Sequence, residues 1–324
     1  MTMNISDKAD QKAMGAPPAG GDLAQQIFDT MIQVTGVKPG HRPVHAKGIV
    51  CQGTFASSGK VAALSKAAHF QGATVPLTIR FSDAAPDPAV PENSYDASPR
   101  GIAVRFHLPG DGLTDIVALS HNGFVVATGE EFLALQKAIV ATDPGKPHPW
   151  PIEAFLGTHP AALKFVVENR VIPAGLANEA FFSNNSFVLV NARGARQAVR
   201  YQIIPVAGRR DLSEEEARTK SPSFLIEDLK TRLAAGAVQF RLVVQIPNPG
   251  DRTNDSSFVW PDDRQTIDAG TISITAVVAD SAVAESGLVF DPTHLTDGIE
   301  LSDDPLPALR ARVYSLSATH RMKS

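Results

Sequence analysis

TVPLTIRFS (residues 74–82), followed after a proline-rich link by GIAVRFHL (residues 101–108), alternates apolar and polar side chains. A period of two over such runs reads as β-strand with one covered face. In the first run Thr78, Arg80 and Ser82 share a face, while Ile79 and Phe81 point the other way. Working outward, residues 45–56, 114–120, 185–192, 197–206, 238–246 and 271–280 read the same way and bring the candidate strands to eight. No regular βαβ rhythm separates them, so a doubly wound sheet fits poorly. Eight strands suit a closed antiparallel barrel whose interior can hold a small ligand. Helical patterns flank them at 23–34, 129–143, 151–169 and 221–236, and again from 301 to the end. In the last of these, acidic residues come first and basic residues last, as the helix dipole favours, and Pro307 fits only in a first turn. The fold class is therefore α+β, an eight-stranded antiparallel β-barrel with flanking helices.

The balance of 30 Lys+Arg against 34 Asp+Glu gives a net charge of −4, which argues against a general grip on nucleic acid. With 43% hydrophobic and 20% charged residues the composition is that of a globular chain. A single cysteine, Cys51, excludes an intramolecular disulfide and a cysteine-rich metal site. It suits a reducing cytoplasm, and its own role reads as buried filler. Residues 1–22 are small and polar, without the apolar core of a signal peptide, and read as a flexible arm compatible with a homo-oligomer. Residues 23–324 read as one unit without a transmembrane segment. GTFASSGKV (53–61) is not a phosphate loop: the glycine spacing is five, not four, and Val61 stands where a metal-binding hydroxyl is needed.

Three groups of residues carry chemistry. Arg310 and Tyr314 lie four apart on one helix face, and Arg321 returns to that face. A guanidinium beside a phenol oxygen favours phenolate, a hard ligand for ferric iron; an ordinary cation–aromatic pair is the competing reading from spacing alone. His45, three residues after Arg42, is either a proton shuttle or a simple loop histidine. Arg80 either faces solvent or faces inward, where it needs an anion.

In this order, RPVHAKG (42–48), IRFS (79–82), SPRGIAVRF (98–106), the R-x-x-x-Y of Arg310 and Tyr314, and THR (319–321) resemble the haem catalase family. The resemblance covers residues from about 25 to 321 and stops where typical catalases continue into a further C-terminal domain. It implies a small catalase-related peroxidase with haem b and ferric iron. Tyr314 matches the proximal iron ligand and Arg310 its partner. His45 matches the distal catalytic histidine and Ser82 the serine that orients it. Arg42, Arg80 and Arg321 match partners of the haem propionates, and Val44 lines the approach to the haem. At the distal amide an ungapped match gives Ser120 and a small shift gives Asn122, the preferred assignment, because an amide holds peroxide better. Phe124 and Phe132 are pocket aromatics or core residues. THR sits two residues further from Tyr314 than in the family and lacks the preceding Asp.

The implied reaction is reduction of hydrogen peroxide or an organic hydroperoxide by an organic reductant, with catalase side activity. A core with little added would leave the haem open to such donors. Two alternatives stand: a fatty-acid hydroperoxide isomerase or dehydratase of the allene oxide synthase type, against which Val44 argues because those relatives carry Thr there, and a non-catalytic haem or lipid carrier.

Overall fold

The structure is a computed structural model and describes residues 21–36 and 38–323. Residues 1–20 of the expected arm lie outside the described residues. Among the described residues ten strands form: β1 (Gly48–Ser57), β2 (Thr74–Asp83), β3 (Arg100–His107), β4 (Leu113–Leu119), β5 (Phe181–Phe182), β6 (Phe187–Val190), β7 (Arg196–Pro205), β8 (Val238–Gln245), β9 (Thr266–Val277) and β10 (Ile299–Leu301). They pair antiparallel in the order β10-β6-β7-β5-β4-β3-β2-β1-β9-β8, and a further β7–β8 pairing closes the ring. Eight strands make that ring, as expected, because β5 and β6 both pair with β7 and act as one strand interrupted at residues 183–186. The short β10 lies outside the ring against β6 and had no legible pattern.

The barrel interior is not a ligand chamber. Phe55, Phe70, Phe81, Phe106, Phe181 and Phe240 fill it, each with less than 2% of its surface exposed. An eight-stranded barrel is just wide enough for side chains, and large aromatics leave no room for more. Each such side chain stabilises the fold by roughly 1.5–3 kcal/mol relative to exposure. Cys51 is fully buried among them, and burial pushes its thiol up to about 12, so it is filler. The ligand space expected inside is therefore displaced to the outer face. There Arg80 and Ser82 project away from the aromatic core yet remain buried, Arg80 against Glu285 of one of the flanking helices and Ser82 against His45.

Those helices are α1 (Leu23–Thr35), α2 (Gly129–Ala141), α3 (Pro151–Thr158), α4 (Pro160–Glu168), α5 (Glu214–Arg218), α6 (Phe224–Ala235), α7 (Ser281–Gly287) and α8 (Leu306–Lys323). The single helix expected over 151–169 is two, because Pro160 cannot supply the N–H that would continue α3. The Asp22 carboxylate accepts the Ala24 and Gln25 N–H groups at 3.0 and 3.2 Å and caps α1. Asp304 accepts the Leu306 N–H at 2.9 Å at the start of α8, with Pro307 in the first turn. Ala24, Ile27, Met31, Leu133 and Val313 join α1, α2 and α8 into a second apolar cluster, against which Val44 and Phe132 pack.

Candidate active site

His45 does not open a strand, as its sequence position suggested; β1 begins at Gly48 and His45 lies in the bend before it. Its φ is +58°, a left-handed conformation that a residue with a Cβ seldom adopts. Three bonds hold it there. Its N–H donates to the Ala84 carbonyl at 3.3 Å, its carbonyl accepts from Arg80 Nη2 at 2.7 Å, and its Nδ1 lies 3.0 Å from Ser82 Oγ. A strained backbone fixed from both sides is what aims this imidazole. Desolvation first, then the charges of Arg80, Arg42 and Arg310, push His45 down to about 3. The ring is therefore neutral at physiological pH.

Gly101 sits opposite Ser82 in the β2–β3 ladder. A Cβ on it would lie 2.8 Å from Ser82 Oγ and 3.0 Å from His45 Cε1. The glycine therefore makes room for the His45–Ser82 pair. Gly101→Ala should leave cofactor loading intact and lower peroxide turnover about ten- to a hundredfold by tilting the imidazole. Turnover measured at matched Soret absorbance checks this.

The second half of the site lies on α8. Arg310 Nη2 donates to Tyr314 Oη at 2.5 Å, and its guanidinium carbon is 5.3 Å from the ring centre. Arg310 Nη1 donates to the Asn185 side-chain oxygen, and Asn185 Nδ2 donates to Asp304 Oδ2 at 2.9 Å. The pair is thus part of a chain, Tyr314–Arg310–Asn185–Asp304, rather than an isolated cation–aromatic contact. Asn185 reaches Arg310 from the excursion between β5 and β6. The signal was in the sequence as a polar SNNS break in an apolar strand pattern, and Asp304 was visible only as helix-start acidity.

Between these halves lies a cluster of guanidiniums. Arg42 Nη1 and Arg80 Nε meet Glu285 Oε1 at 2.9 and 2.8 Å. Arg321 is buried; its Nε and Nη2 each donate at 3.2 Å to the carbonyls of Ser286 and Leu288. Although THR is displaced by two residues, α8 runs unbroken through it and brings Arg321 to the cluster. Desolvation and the charges of Arg80 and Arg321 pull Arg42 down to about 9; Glu285 and Tyr314 act in the opposite sense. His45 and Arg42 therefore feel groups of both α8 and the barrel, which places all of them in one electrostatic neighbourhood. Val44 and Phe132 share an apolar cluster with Leu309 and Val313, and the Phe124 ring centre lies 5.7 Å from that of Phe132, tilted by 33°.

In the bend after β4 the two amide candidates separate. Ser120 Oγ accepts the Arg100 N–H at 3.0 Å, which leaves its O–H proton free to donate. Asn122 is half-buried, and its amide makes no hydrogen bond within the described residues. No bond joins it to His45.

The fit to haem can be tested on these observations. A flat apolar group with two carboxylates needs apolar walls, an anion cradle at one end and an iron ligand on one face. Val44, Phe132, Leu309 and Val313 offer walls. Three guanidiniums against one carboxylate leave an excess of positive charge, and Tyr314 presents an oxygen fixed by Arg310. The residues present fit the group.

The comparisons agree. The catalase family model matches residues 4–324. A protein of Mycolicibacterium paratuberculosis named catalase-related peroxidase is 38% identical over 308 residues, covering 94% of this chain and 96% of the relative. A Synechococcus elongatus protein of the same name is 31% identical, covering 94% and 90%. Catalase A from Saccharomyces cerevisiae superposes with a TM-score of 0.76 at 21% identity over 91% of this chain. The chain spans 64% of that yeast structure's length. No helix among the described residues is long and apolar enough to cross a membrane. By its family model, its near-full-length relatives and its fold, the chain belongs to the catalase family.

Proposed function

We propose that this chain is a haem b peroxidase that reduces hydrogen peroxide or organic hydroperoxides at the expense of an organic donor. One observation carries the reading. A neutral, oriented His45 and an arginine-held Tyr314 share a single electrostatic neighbourhood with a cluster of guanidiniums. Neither a carrier nor a plain surface pair needs that combination.

Tyr314 would ligate the iron, and Arg42, Arg80 and Arg321 would hold the propionates. Bound there, ferric haem would supply the electrons for cleavage of the peroxide O–O bond, to be restored by the organic donor. His45 takes the proton from one peroxide oxygen and returns it to the other, so that water leaves from hydrogen peroxide and an alcohol from an organic hydroperoxide. Ser82 keeps the imidazole in register for both transfers. Asn122, with its amide uncommitted, donates to the bound peroxide. Val44 and Phe132 form apolar walls that restrict water beside the reacting oxygens.

The donor assignment rests on the names of the two near-full-length relatives, both catalase-related peroxidases. An oxygen electrode and a dye-oxidation assay on the haem-loaded protein test it. Donor oxidation that accounts for most of the peroxide consumed, with little oxygen release, is expected. Brisk oxygen release that a donor does not suppress would make the chain a catalase instead. With a lipid hydroperoxide, reduction to the alcohol is expected, and a rearranged epoxide would favour the isomerase reading.

A further inference from the structure

Glu285 has no role in the resemblance and no signal in the sequence, yet it is the one carboxylate on the arginine cluster among the described residues. It lies on α7, which packs on β1 and α8. Its side chain is 14% exposed, against 15% for Arg42 and 6% for Arg80. Oxygen Oε1 accepts from Arg42 Nη1 at 2.9 Å and from both Arg80 Nε, at 2.8 Å, and Arg80 Nη2. The α7 end adds backbone acceptors: Leu288 O takes Arg42 Nη2 at 2.7 Å and Arg321 Nη2 at 3.2 Å.

We infer that Glu285 is the resident counter-anion of the cradle, a positioning residue that holds Arg42 and Arg80 ready for the carboxylates of an incoming ligand. The inference rests on the haem reading for the identity of that ligand. Its own ground is a charge balance. Arg42, Arg80 and Arg321 contribute three positive charges, Glu285 removes one, and the two that remain match a ligand with two carboxylates. The hydrogen bonds have the same arithmetic. Within the described residues Arg42 Nε, Arg80 Nη1 and Arg321 Nη1 make no bond, so each guanidinium keeps a nitrogen for the ligand. Gly48 protects the arrangement: a Cβ there would lie 2.5 Å from Arg80 Nη2, so a side chain would push Arg80 off Glu285.

A brace needed only by the fold would matter equally with and without ligand. A counter-anion matters most before the ligand's own carboxylates arrive, because that is when the buried guanidiniums lack other negative charge. The test is thermal unfolding of the apo and haem-loaded forms of the wild type, Glu285→Gln and Glu285→Asp. The Gln variant should lower the apo Tm by several degrees and the haem-loaded Tm by about one degree or less. The Asp variant, which keeps the charge on a shorter arm, should fall between. Millimolar sulfate should raise the apo Gln variant toward wild type and leave the wild type nearly unmoved. An equal fall in both forms, or no fall in the apo form, overturns the inference. Should the wild type fail to load haem, the haem reading falls, while the apo comparison and sulfate rescue still decide whether Glu285 is the counter-anion.

Discussion

Tyr314→Phe should abolish stable loading of ferric haem. The substitution removes one oxygen and leaves the ring, so packing of α8 changes little. Arg310, which donates to that oxygen at 2.5 Å, stays tied to Asn185 and through it to Asp304. The loss is therefore confined to the one atom assigned to the iron. Haem titration followed in the Soret region should show at least a hundredfold weaker binding, with an unchanged far-ultraviolet circular dichroism spectrum. Unchanged loading with an unchanged ligand-field spectrum would place the iron on another residue. Arg310→Ala is the companion: it leaves the phenol oxygen without its donor and Asn185 without its partner, and should weaken loading less than Tyr314→Phe does.

The second large effect is expected at His45. His45→Ala should leave haem bound and slow reaction with peroxide by roughly 10²- to 10⁴-fold, the span that a positioned proton-transfer group contributes. Alanine keeps the Cβ and so bears the same strain at a φ of +58°, and His45→Gln, which keeps a polar side chain near Ser82, controls for simple loss of volume. The pH dependence follows from the depressed imidazole. Burial, the first cause of the depressed His45, persists when the site is loaded, so the ring should stay neutral through pH 5–8 and the wild-type rate should be flat on its account across that range. In the unfolded chain the same imidazole protonates below about 6.5. The unfolded state then binds the extra proton, and the apoprotein's stability should fall as pH drops from about 6.5 toward 3. A rate that falls tenfold per pH unit below 6.5 would show an ordinary histidine and remove the reason for its burial among arginines.

How much of this was legible depends on the kind of signal. The alternation in residues 74–82 is a property of one strand and of the face it covers, so the barrel could be read from it. Which face is inside is not local. Both faces of β2 are buried toward its end, one by phenylalanines and the other by helices that arrive from far along the chain. That is why the site is on the outer face and the expected interior chamber is filled. Arg310 and Tyr314 were legible because a helix repeats every four residues and α8 is continuous. His45 was legible as a residue but not as a conformation, since its positive φ comes from Ala84 and Arg80 pulling on its backbone. Glu285 could not be read at all. It meets Arg80 from 205 positions away, and the short helix that carries it has no apolar stripe of its own. The choice between Asn122 and Ser120 was not local either, because it turns on which of two neighbouring side chains in one bend reaches the bound peroxide.

We propose that His45 and Tyr314 face a common haem at which peroxide reacts. The measurement is stopped-flow absorbance of the haem-loaded wild type mixed with hydrogen peroxide. A Soret change within milliseconds at micromolar peroxide, lost in His45→Ala and reversed on adding a phenolic donor, is the predicted result. A haem spectrum that stays still while peroxide is present in excess would contradict the account.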